Sequence, residues 1–363
     1  MNKSRVCLVG IFPPPLHGMS LITDYVRRRI SETESPHVID FSPRTLDRSF
    51  WIRFGKLFRV IRALIQFFSL MMTGHVRCVY FGLSGEKGQI YDTLFVGLSR
   101  LFGKKIYLHH HGYLYLNQPR WIARLLMSVA GKNAVHIVAC EKMSADLKRL
   151  YPVVENIRII SGIAALEFWT DAVRQHNEIR SIGFLSNISP AKGINEFLAV
   201  AELAAQAKLP IRFMLAGPFQ DDEISFIVRQ RVAALGNLTY IGAVYGSNKQ
   251  DFFDSIDVLL LPSHTESEGL VIHEAMSRGV PVIAYSNGCI EQIISKHVGL
   301  RLSPSEDFVK ATTDKIQEWL ANPPAYQLIS QASLNQFYQA RTLHIKNFDM
   351  LCAELLGKET SSS

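Results

Sequence analysis

The sequence lacks a hydrophobic run long enough to cross a bilayer, and it lacks a recognisable export signal. Its longest apolar run, residues 60–72, is interrupted by Arg62 and Gln66 and is shorter than the roughly 20 residues that a spanning helix needs. The first apolar run, residues 6–12, is followed by consecutive prolines and by no small-residue cleavage site. These absences predict a cytoplasmic protein without a transmembrane helix.

Cysteine is sparse, and several metal and nucleotide motifs are missing. The five cysteines are scattered and form no C-x-x-C pair, so we expect neither a disulfide framework nor a zinc site. The glycine-containing loop near the start is not a G-x-G-x-x-G fingerprint, which disfavours a dehydrogenase. No Asp-x-Asp motif is present to bind a catalytic divalent cation, and Asp221-Asp222-Glu223 is interpreted as a helix start. We therefore predict no metal and no cofactor.

Charge is distributed unevenly along the 363 residues. The chain has a net charge of +7, but residues 1–165 hold 23 Lys and Arg against 10 Asp and Glu, whereas the remainder holds 16 against 22. The N-terminal half thus carries +13 and the C-terminal half −6. Such a basic half predicts an anionic partner, for which nucleic acid, an anionic membrane and a phosphorylated substrate are candidates.

Short apolar runs alternate with longer helical patterns along the whole chain. This alternation is typical of α/β folds with parallel sheets, and the length exceeds what one hydrophobic core usually supports. We predict two doubly wound, Rossmann-like domains, residues 1–168 and 169–340, with a polar seam at residues 170–180. A C-terminal helix, residues 341–363, is expected to return toward the N-terminal domain and to end in a disordered polar tail. The predicted strands are residues 5–9, 76–81, 105–109, 135–139, 181–185, 211–216, 238–241, 258–261 and 280–284.

The segment from Thr265 to Met276, TESEGLVIHEAM, places carboxylates on both sides of a predicted helix start at Gly269. Free amides and the helix dipole at such a start favour a phosphate. Glu274 lies one turn further along, where it can accept hydrogen bonds from a ribose diol, and Glu266 can bind hydroxyls of a sugar beyond the phosphates. In the alternative interpretation, Glu266 and Glu268 complement the helix dipole and Glu274 is a solvated side chain.

Two further loops follow predicted strands and carry glycine. Lys192 and Gly193 lie between the strand at residues 181–185 and a helical pattern, so the ammonium group can bind a phosphate. An exposed surface lysine is the alternative. The loop from Gly10 to Gly18 is stiffened by proline, while its glycines allow close approach of the backbone to a ligand.

Three consecutive histidines, residues 109–111, follow the predicted strand at residues 105–109. Because strand side chains alternate between faces, at most His109 and His111 can point the same way, which disfavours a metal site. His111, beside a glycine at the carboxyl end of a strand, is predicted to hydrogen-bond a substrate hydroxyl. His109 or His110 is predicted to be a packed core histidine.

Together these loops resemble the retaining nucleotide-sugar glycosyltransferases of the GT-B fold, in particular family four, the glycosyl transferases group 1. The resemblance covers nearly the whole chain. Its most specific part is Pro262-Ser263 followed by Glu266-x7-Glu274-Ala275-Met276 and the segments at residues 279–283 and 288–291. Weaker similarities are found at residues 10–18, 111–112, 160–163, 190–193 and 217–218.

The resemblance implies a role for each candidate residue. Glu274 would bind the ribose, the amides of Gly269 and Leu270 the diphosphate, and Lys192 the phosphates, while Glu266 and His111 would contact the donor sugar. Glu266, His111 and Lys192 are the predicted catalytic residues, and the donor site would also include Gly18, Asn187 and Gly217. This chain departs from the family pattern by having Ser186-Asn187 in place of Gly-Arg, His17-Gly18 in place of paired glycines, and Glu268 at a commonly aromatic position.

A basic, aromatic segment suggests where the acceptor binds. Its apolar residues recur at helical spacing and are Phe54, Phe58, Ile61, Ile65 and Phe68. The basic residues between them are Arg53, Lys56, Arg59 and Arg62. Residues 120–127 have a similar basic and apolar character. Basic amphipathic helices of this kind can lie in an anionic membrane interface. We predict that the protein associates peripherally with the inner face of the plasma membrane. Its acceptor is predicted to be a saccharide linked to a lipid diphosphate. The biological role would be synthesis of a bacterial surface polysaccharide, such as O-antigen, capsule or exopolysaccharide. Alternatively, the apolar stripe packs on the sheet.

Three other functions are compatible with parts of the sequence. A nucleotide-sugar epimerase would share the two-domain scaffold but leaves residues 51–68 unexplained. A non-catalytic nucleotide-sugar-binding or membrane scaffold protein is suggested by Asn187 and Glu268. Nucleic-acid binding rests on the basic half alone, and because no recognised nucleic-acid module appears, we expect no nucleic acid as partner.

Overall fold

A computed structural model describes residues 5–14, 18–42, 50–166 and 173–358, and for residues 50–57 and 86 it describes the backbone alone. The chain divides into two compact units, Met1–Leu166 with Thr342–Ser363 and Glu167–Arg341. Each contains a parallel six-stranded sheet flanked by helices, so the predicted α/β class with two doubly wound domains is confirmed. The predicted boundary after residue 168 lies outside the described residues.

The first unit is built on a sheet with the strand order β2-β1-β3-β4-β5-β6. Its strands are β1 Val6–Gly10, β2 His37–Asp40, β3 Cys78–Gly82, β4 Lys105–His109, β5 Val135–Val138 and β6 Asn156–Ile159. Its helices are α1 Gly18–Ser31, α2 Phe50–Met72, α3 Gln89–Leu101, α4 Leu114–Asn117, α5 Trp121–Ala130 and α6 Glu141–Leu150. The strand order reverses between β1 and β3, and in such open sheets ligands bind beyond the carboxyl ends of the strands at the reversal.

The second unit has the strand order β12-β11-β10-β7-β8-β9 and reverses between β10 and β7. Its strands are β7 Ser181–Leu185, β8 Arg212–Ala216, β9 Leu238–Gly242, β10 Val258–Leu261, β11 Val282–Tyr285 and β12 Gly299–Leu302. Its helices are α7 Ile194–Gln206, α8 Asp222–Ala234, α9 Ser247–Ser255, α10 Leu270–Met276, α11 Ile290–Ile293, α12 Phe308–Ala321 and the start of α13 Pro323–Leu356. The reversal brings together the loops that carry Lys192 and Glu266.

Local sequence explains the element boundaries that position these loops. The central strands are continuous apolar runs because helices cover both faces of each sheet. Asp221 caps α8 by accepting a hydrogen bond from the amide of Ile224 at 2.9 Å, which confirms the helix start predicted for Asp221-Asp222-Glu223.

The C-terminal region differs from its predicted form. A separate last helix from residue 341 was expected, but α13 begins at Pro323 and runs without interruption over 34 residues. The junction, Gln339-Ala-Arg341, contains good helix formers and neither glycine nor proline. From Thr342 onward α13 belongs to the first unit, where Glu354 accepts hydrogen bonds from Lys105 at 2.9 Å and from the Tyr107 hydroxyl at 3.1 Å. The polar residues 359–363 lie outside the described residues.

No helix in the described part of the chain combines the length and apolar character that a membrane crossing requires.

Candidate functional site

The loops that follow β7 and β10 contact each other closely. A short 3-10 turn, Pro190–Lys192, follows β7, and Gly193 then adopts a left-handed conformation with φ of +80°. A Cβ atom on Gly193 would lie 2.1 Å from the Pro262 carbonyl oxygen, so only glycine fits there. The amide of His264 donates a hydrogen bond to the Ala191 carbonyl at 3.0 Å and ties the two loops together.

This contact brings Lys192 to Glu266. The Lys192 Nζ atom lies 2.7 Å from Glu266 Oε2 and 3.3 Å from the Thr265 carbonyl oxygen. Both side chains are partly buried, with 27% of the Lys192 side chain and 17% of the Glu266 side chain exposed, so Lys192 is not a freely solvated surface lysine. The pair is consistent with a shared role of both residues in one ligand site.

Gly269 forms the N-cap of α10 in a left-handed conformation with φ of +70°. Within the described residues, the amides of Gly269 and Leu270 donate no hydrogen bond to any protein atom. Amides at a helix start that lack an internal acceptor are available to an anion. Glu268, just before them, is buried, and its Oε1 atom lies 3.6 Å from Nε2 of buried His273.

Glu274, one turn into α10, is paired with a lysine that the sequence did not single out. The Lys249 Nζ atom of α9 lies 2.5 Å from each carboxylate oxygen of Glu274. The Glu274 side chain is only 12% exposed, so the alternative of a solvated carboxylate is wrong. No sequence pattern marks Lys249, because it lies in a polar stretch, GSNKQD, without a motif.

The loop after β8 is fixed against the loop after β7. Gly217 has φ of +130°, and a Cβ atom there would lie 1.8 Å from the Ser186 carbonyl oxygen. The amide of Ile188 donates to the Pro218 carbonyl at 2.8 Å, and the Tyr240 hydroxyl donates to the Gly217 carbonyl at 2.9 Å. Asn187, at the position where the family pattern has arginine, is exposed in this arrangement.

The loop after β11 supports the β10 loop from the other side. Asn287 donates from its side-chain amide to the Ser263 carbonyl at 2.7 Å, and the amide of Cys289 donates to the Ser267 carbonyl at 2.7 Å. These bonds hold residues 263–267 in place, and with them Glu266. Among the described residues, no group of three or more His, Cys, Asp and Glu side chains is arranged to hold a metal ion.

In the first unit, the histidines after β4 point to alternate faces, as predicted. The rings of His109 and His111 lie 4.3 Å apart, while His110 faces the other way and hydrogen-bonds Tyr115 at 2.7 Å and His136 at 3.0 Å. Both His109 and His110 are core residues, and burial, reinforced by neighbouring imidazoles, holds the pKa of each well below the usual value. His111 is half-buried.

Of the remaining donor-site candidates, Gly18 is the exposed first residue of α1. His17, the departure beside it, lies outside the described residues. Because Gly18 and His111 belong to the first unit and Lys192, Glu266 and Glu274 to the second, contributions of the first two to a donor site stay predictions.

The predicted basic, aromatic stripe of α2 is exposed rather than packed on the sheet. Val60, Ala63, Phe67 and Met71 form the buried face, whereas Phe58, Ile61, Ile65, Phe68 and Met72 are exposed. Phe54, Arg53 and Lys56 lie where side chains are not described. On α5, Trp121 is 70% exposed and lines a groove of about 460 Å³ with Pro119, Arg120, Arg124, Leu125 and Ser128.

The fold and this site define a class of protein. Two parallel, doubly wound units, the second with phosphate-compatible loops at its strand-order reversal, have the architecture of GT-B glycosyltransferases. The chain is similar in fold to Anabaena HepE, whose crystal structure is in complex with UDP-glucose, with a TM-score of 0.69, 16% identity, and coverage of 97% of this chain and 99% of that one. The predicted GT-B fold is thereby confirmed.

Comparison of sequences identifies the second unit more narrowly. Residues 169–336 match the model of the family Glycosyl transferases group 1, so this part of the chain is a glycosyltransferase domain of that group. The prediction of a transferase is thus confirmed at the level of the domain.

Two curated relatives are transferases by name. Sulfoquinovosyl transferase SQD2 of Arabidopsis thaliana is 25% identical over 270 residues, which are 67% of this chain and 49% of the relative. GDP-mannose-dependent alpha-mannosyltransferase of Mycobacterium tuberculosis is 24% identical over 177 residues, which are 48% of this chain and 41% of the relative. The matches thus span no more than about half the length of either curated relative.

Proposed function

We propose that this chain is a retaining glycosyltransferase that moves a sugar from a nucleoside-diphosphate sugar to a saccharide acceptor. The observation that carries the proposal is the cluster of Lys192, Glu266 and the two amides of Gly269 and Leu270 that lack an internal acceptor. One positive charge, two free donors and a carboxylate suit a diphosphate that is joined to a sugar. UDP-glucose is named in the HepE structure and GDP-mannose in the name of the mycobacterial relative, so both are candidate donors.

The proposed chemistry is displacement of the nucleoside diphosphate at the anomeric carbon. The acceptor oxygen forms a bond to this carbon on the same face from which the diphosphate oxygen departs, and the acceptor proton passes to that departing oxygen. Lys192 and the amides stabilise the negative charge that develops on the leaving group. Because these groups supply the positive charge, the mechanism requires no resident metal ion. Glu266 and His111 hold the sugar, Glu274 binds the ribose, and Gly18, Asn187 and Gly217 complete the donor site.

The acceptor is proposed to be linked to a lipid diphosphate and used in bacterial surface polysaccharide synthesis. This part of the proposal is supported by the exposed apolar side chains of α2 and α5, which alternate with exposed Arg62, Arg120 and Arg124. Exposed apolar patches next to cations are typical of surfaces that bind anionic membranes. The protein would then act at the inner face of the plasma membrane.

Calorimetry with UDP, GDP, ADP and dTDP tests the donor site. We expect one nucleotide to bind with a Kd in the micromolar range, and Glu274→Ala to weaken that binding at least about tenfold, because a charged hydrogen-bond acceptor for the ribose is lost. Slow release of glucose or mannose from UDP-glucose or GDP-mannose by the wild type would then identify the donor. Full binding by Glu274→Ala would contradict the site assignment.

A nucleotide-sugar-binding protein without transferase activity is the second candidate. It is favoured by Asn187, since this position lacks the cation that the family pattern supplies for the leaving diphosphate. Tight nucleotide binding without hydrolysis or transfer to any lipid-linked acceptor would support this alternative.

A further inference from the structure

Lys249 and Glu274 form a lysine–glutamate pair between distant segments of the second unit, as Lys192 and Glu266 do. These four residues come from four different segments. Lys192 follows β7 and Lys249 lies in α9 after β9, while Glu266 follows β10 and Glu274 lies in α10. Lys249 and Glu274 are separated by 25 residues, so their pairing is not a neighbour contact along one helix. The side chain of Lys249 is 27% exposed.

The position of Lys249 on α9 makes it part of the packed face of that helix. Phe252 and Phe253, three and four residues further along, are both buried. On an α-helix, residues at these spacings lie on the same side. The Lys249 side chain is therefore directed along the face of α9 that packs on the domain, not into bulk solvent.

The pair has a direct consequence for Glu274. A mostly buried carboxylate is costly to desolvate unless a cation or a hydrogen-bond donor pairs with it. An ammonium group at 2.5 Å from both oxygens neutralises it and fixes its rotamer, while each oxygen keeps a lone pair for another donor. The carboxylate is thus prepared to accept hydrogen bonds from a diol.

We propose that Lys249 is a positioning residue that acts through Glu274 on the ribose hydroxyls of the bound nucleotide. This inference rests on the proposed function, in which Glu274 binds the ribose. According to this proposal, Lys249 strengthens binding of the nucleoside half of the donor and does not affect binding of the diphosphate. The diphosphate is bound by Lys192 and by the amides of Gly269 and Leu270.

The test compares Lys249→Met, which keeps the length of the side chain but removes its charge, with Lys249→Arg, which retains a cation. Lys310→Met serves as the matched control, because Lys310 is an exposed lysine of α12 in the same unit and forms no ion pair with any described residue. Calorimetric Kd values are measured for UDP and GDP and for their 2′,3′-dideoxy analogues, which lack the ribose diol.

We expect Lys249→Met to weaken binding of the preferred nucleotide roughly 10- to 30-fold, the range for losing a charge-assisted contact. Lys249→Arg is expected to recover most of this loss, and Lys310→Met to bind within about twofold of the wild type. The dideoxy analogue should bind the wild type and Lys249→Met with the same Kd. The double variant Lys249→Met/Glu274→Gln should bind no more weakly than Glu274→Gln alone, because Lys249 acts only through this carboxylate.

Two results would overturn the inference while leaving the proposed function intact. In one, Lys249→Met binds UDP or GDP with the affinity of the wild type, although Glu274→Ala binds the same nucleotide more weakly. In the other, Lys249→Met weakens binding of the dideoxy analogue by the same factor as binding of the natural nucleotide. Lys249 would then act on the phosphates or on the base and not on the ribose diol. If the wild type binds no nucleotide at all, the proposed function fails and the inference with it. Recovery by Lys249→Arg excludes misfolding as the cause of a loss.

Discussion

Lys192 and Glu266 bind each other, with Nζ 2.7 Å from Oε2, although the two residues are predicted to bind different parts of one ligand. Because the pair is partly buried, neither charge is fully screened by water. A diphosphate that binds near Gly269 would compete with Glu266 for the ammonium group. Glu266 would then be released toward the hydroxyls of the donor sugar, so the pairing keeps both groups close to the proposed donor site.

Replacement of Lys192 should affect nucleotide affinity more than replacement of Glu266. Lys192→Ala removes a phosphate contact and leaves the Glu266 carboxylate without its cation beside the phosphates. We therefore expect a loss of about 3 kcal/mol of binding free energy, which raises the Kd for UDP or GDP about 100-fold. Glu266→Gln removes a negative charge from the same place, so it should bind the free nucleotide at least as well as the wild type but should lose sugar transfer.

Calorimetry with the free nucleotide and with the intact nucleotide sugar separates these two effects. Lys192→Arg, which retains the charge, serves as the control and should bind within about tenfold of the wild type. If Glu266→Gln weakened binding of the free nucleotide as much as Lys192→Ala does, the assignment of Glu266 to the sugar would be wrong.

Gly193 is expected to be irreplaceable for stability. Its positive φ is strained for any residue with a Cβ atom, and that atom would lie 2.1 Å from the Pro262 carbonyl oxygen. Gly193→Ala should lower the free energy of unfolding by about 3 kcal/mol, measured by urea denaturation. Gly236→Ala is the control, because a Cβ atom there meets no atom within 4 Å, and it should change stability by less than about 0.5 kcal/mol. An equal effect of the two substitutions would contradict the close loop contact.

The central strands of both sheets could be predicted from sequence, and three edge strands could not. A strand that is buried on both faces must be a continuous apolar run, as in β3, β7 and β10. The missed strands β2, β6 and β12 all lie at sheet edges, where solvent permits polar residues. Asn156-Ile-Arg-Ile159, for example, has exposed and half-buried positions in alternation and no long apolar run.

The loop residues of the candidate site could be found because their chemistry is tied to fixed spacing, but their partners could not. Glu266 and Glu274 belong to a motif. Lys249, which pairs with Glu274, and Asn287, which binds the Ser263 carbonyl, come from other segments, and these meet the motif only because β9 and β11 end at the same edge of the sheet. Likewise, the α2 stripe was recognisable by its period, but the sequence does not tell which of two apolar faces packs on the sheet. Val60, Phe67 and Met71 pack there, and Phe58 and Ile65 do not.

The buried imidazole of His136 should make the first unit sensitive to acid. Burial lowers its pKa to about 4, whereas an unfolded histidine has a pKa of about 6.5. Above pH 6.5 both states are neutral and the group has no effect on stability. As the pH falls below about 6.5, the unfolded chain takes up a proton that the folded chain does not, so the free energy of unfolding falls. At pH 5.5 the loss from His136 is about 1.4 kcal/mol.

Urea denaturation at pH 7.5 and pH 5.5 measures this difference. Between pH 7.5 and pH 5.5, the free energy of unfolding should decrease less in His136→Gln than in the wild type. This holds whatever the stability of the variant at pH 7.5. His75→Gln is the control in the same unit, because His75 is exposed, and its decrease should match that of the wild type. His109 and His110, whose pKa values are also lowered, should account for much of the remaining decrease. An unchanged pH dependence in His136→Gln would show that this imidazole is protonated in the folded state.

The exposed face of α2 should mediate binding to anionic membranes. Phe58 is 66% and Ile65 63% exposed, and inserting both side chains into lipid is worth about 1.5–3 kcal/mol each. Phe58→Ser/Ile65→Ser should therefore lower partitioning onto phosphatidylglycerol vesicles by at least about 100-fold, measured by flotation.

Phe226→Ser is the matched control for this experiment, because Phe226 of α8 is 65% exposed but belongs to the second unit. Its partitioning should equal that of the wild type. Arg62→Gln should weaken binding about fivefold at low salt and less at high salt, since one basic residue near an anionic surface contributes about 1 kcal/mol and is screened by ions. Equal flotation of the α2 double variant and Phe226→Ser, or binding that does not depend on salt, would remove the membrane from the proposed function and leave the donor site unaffected.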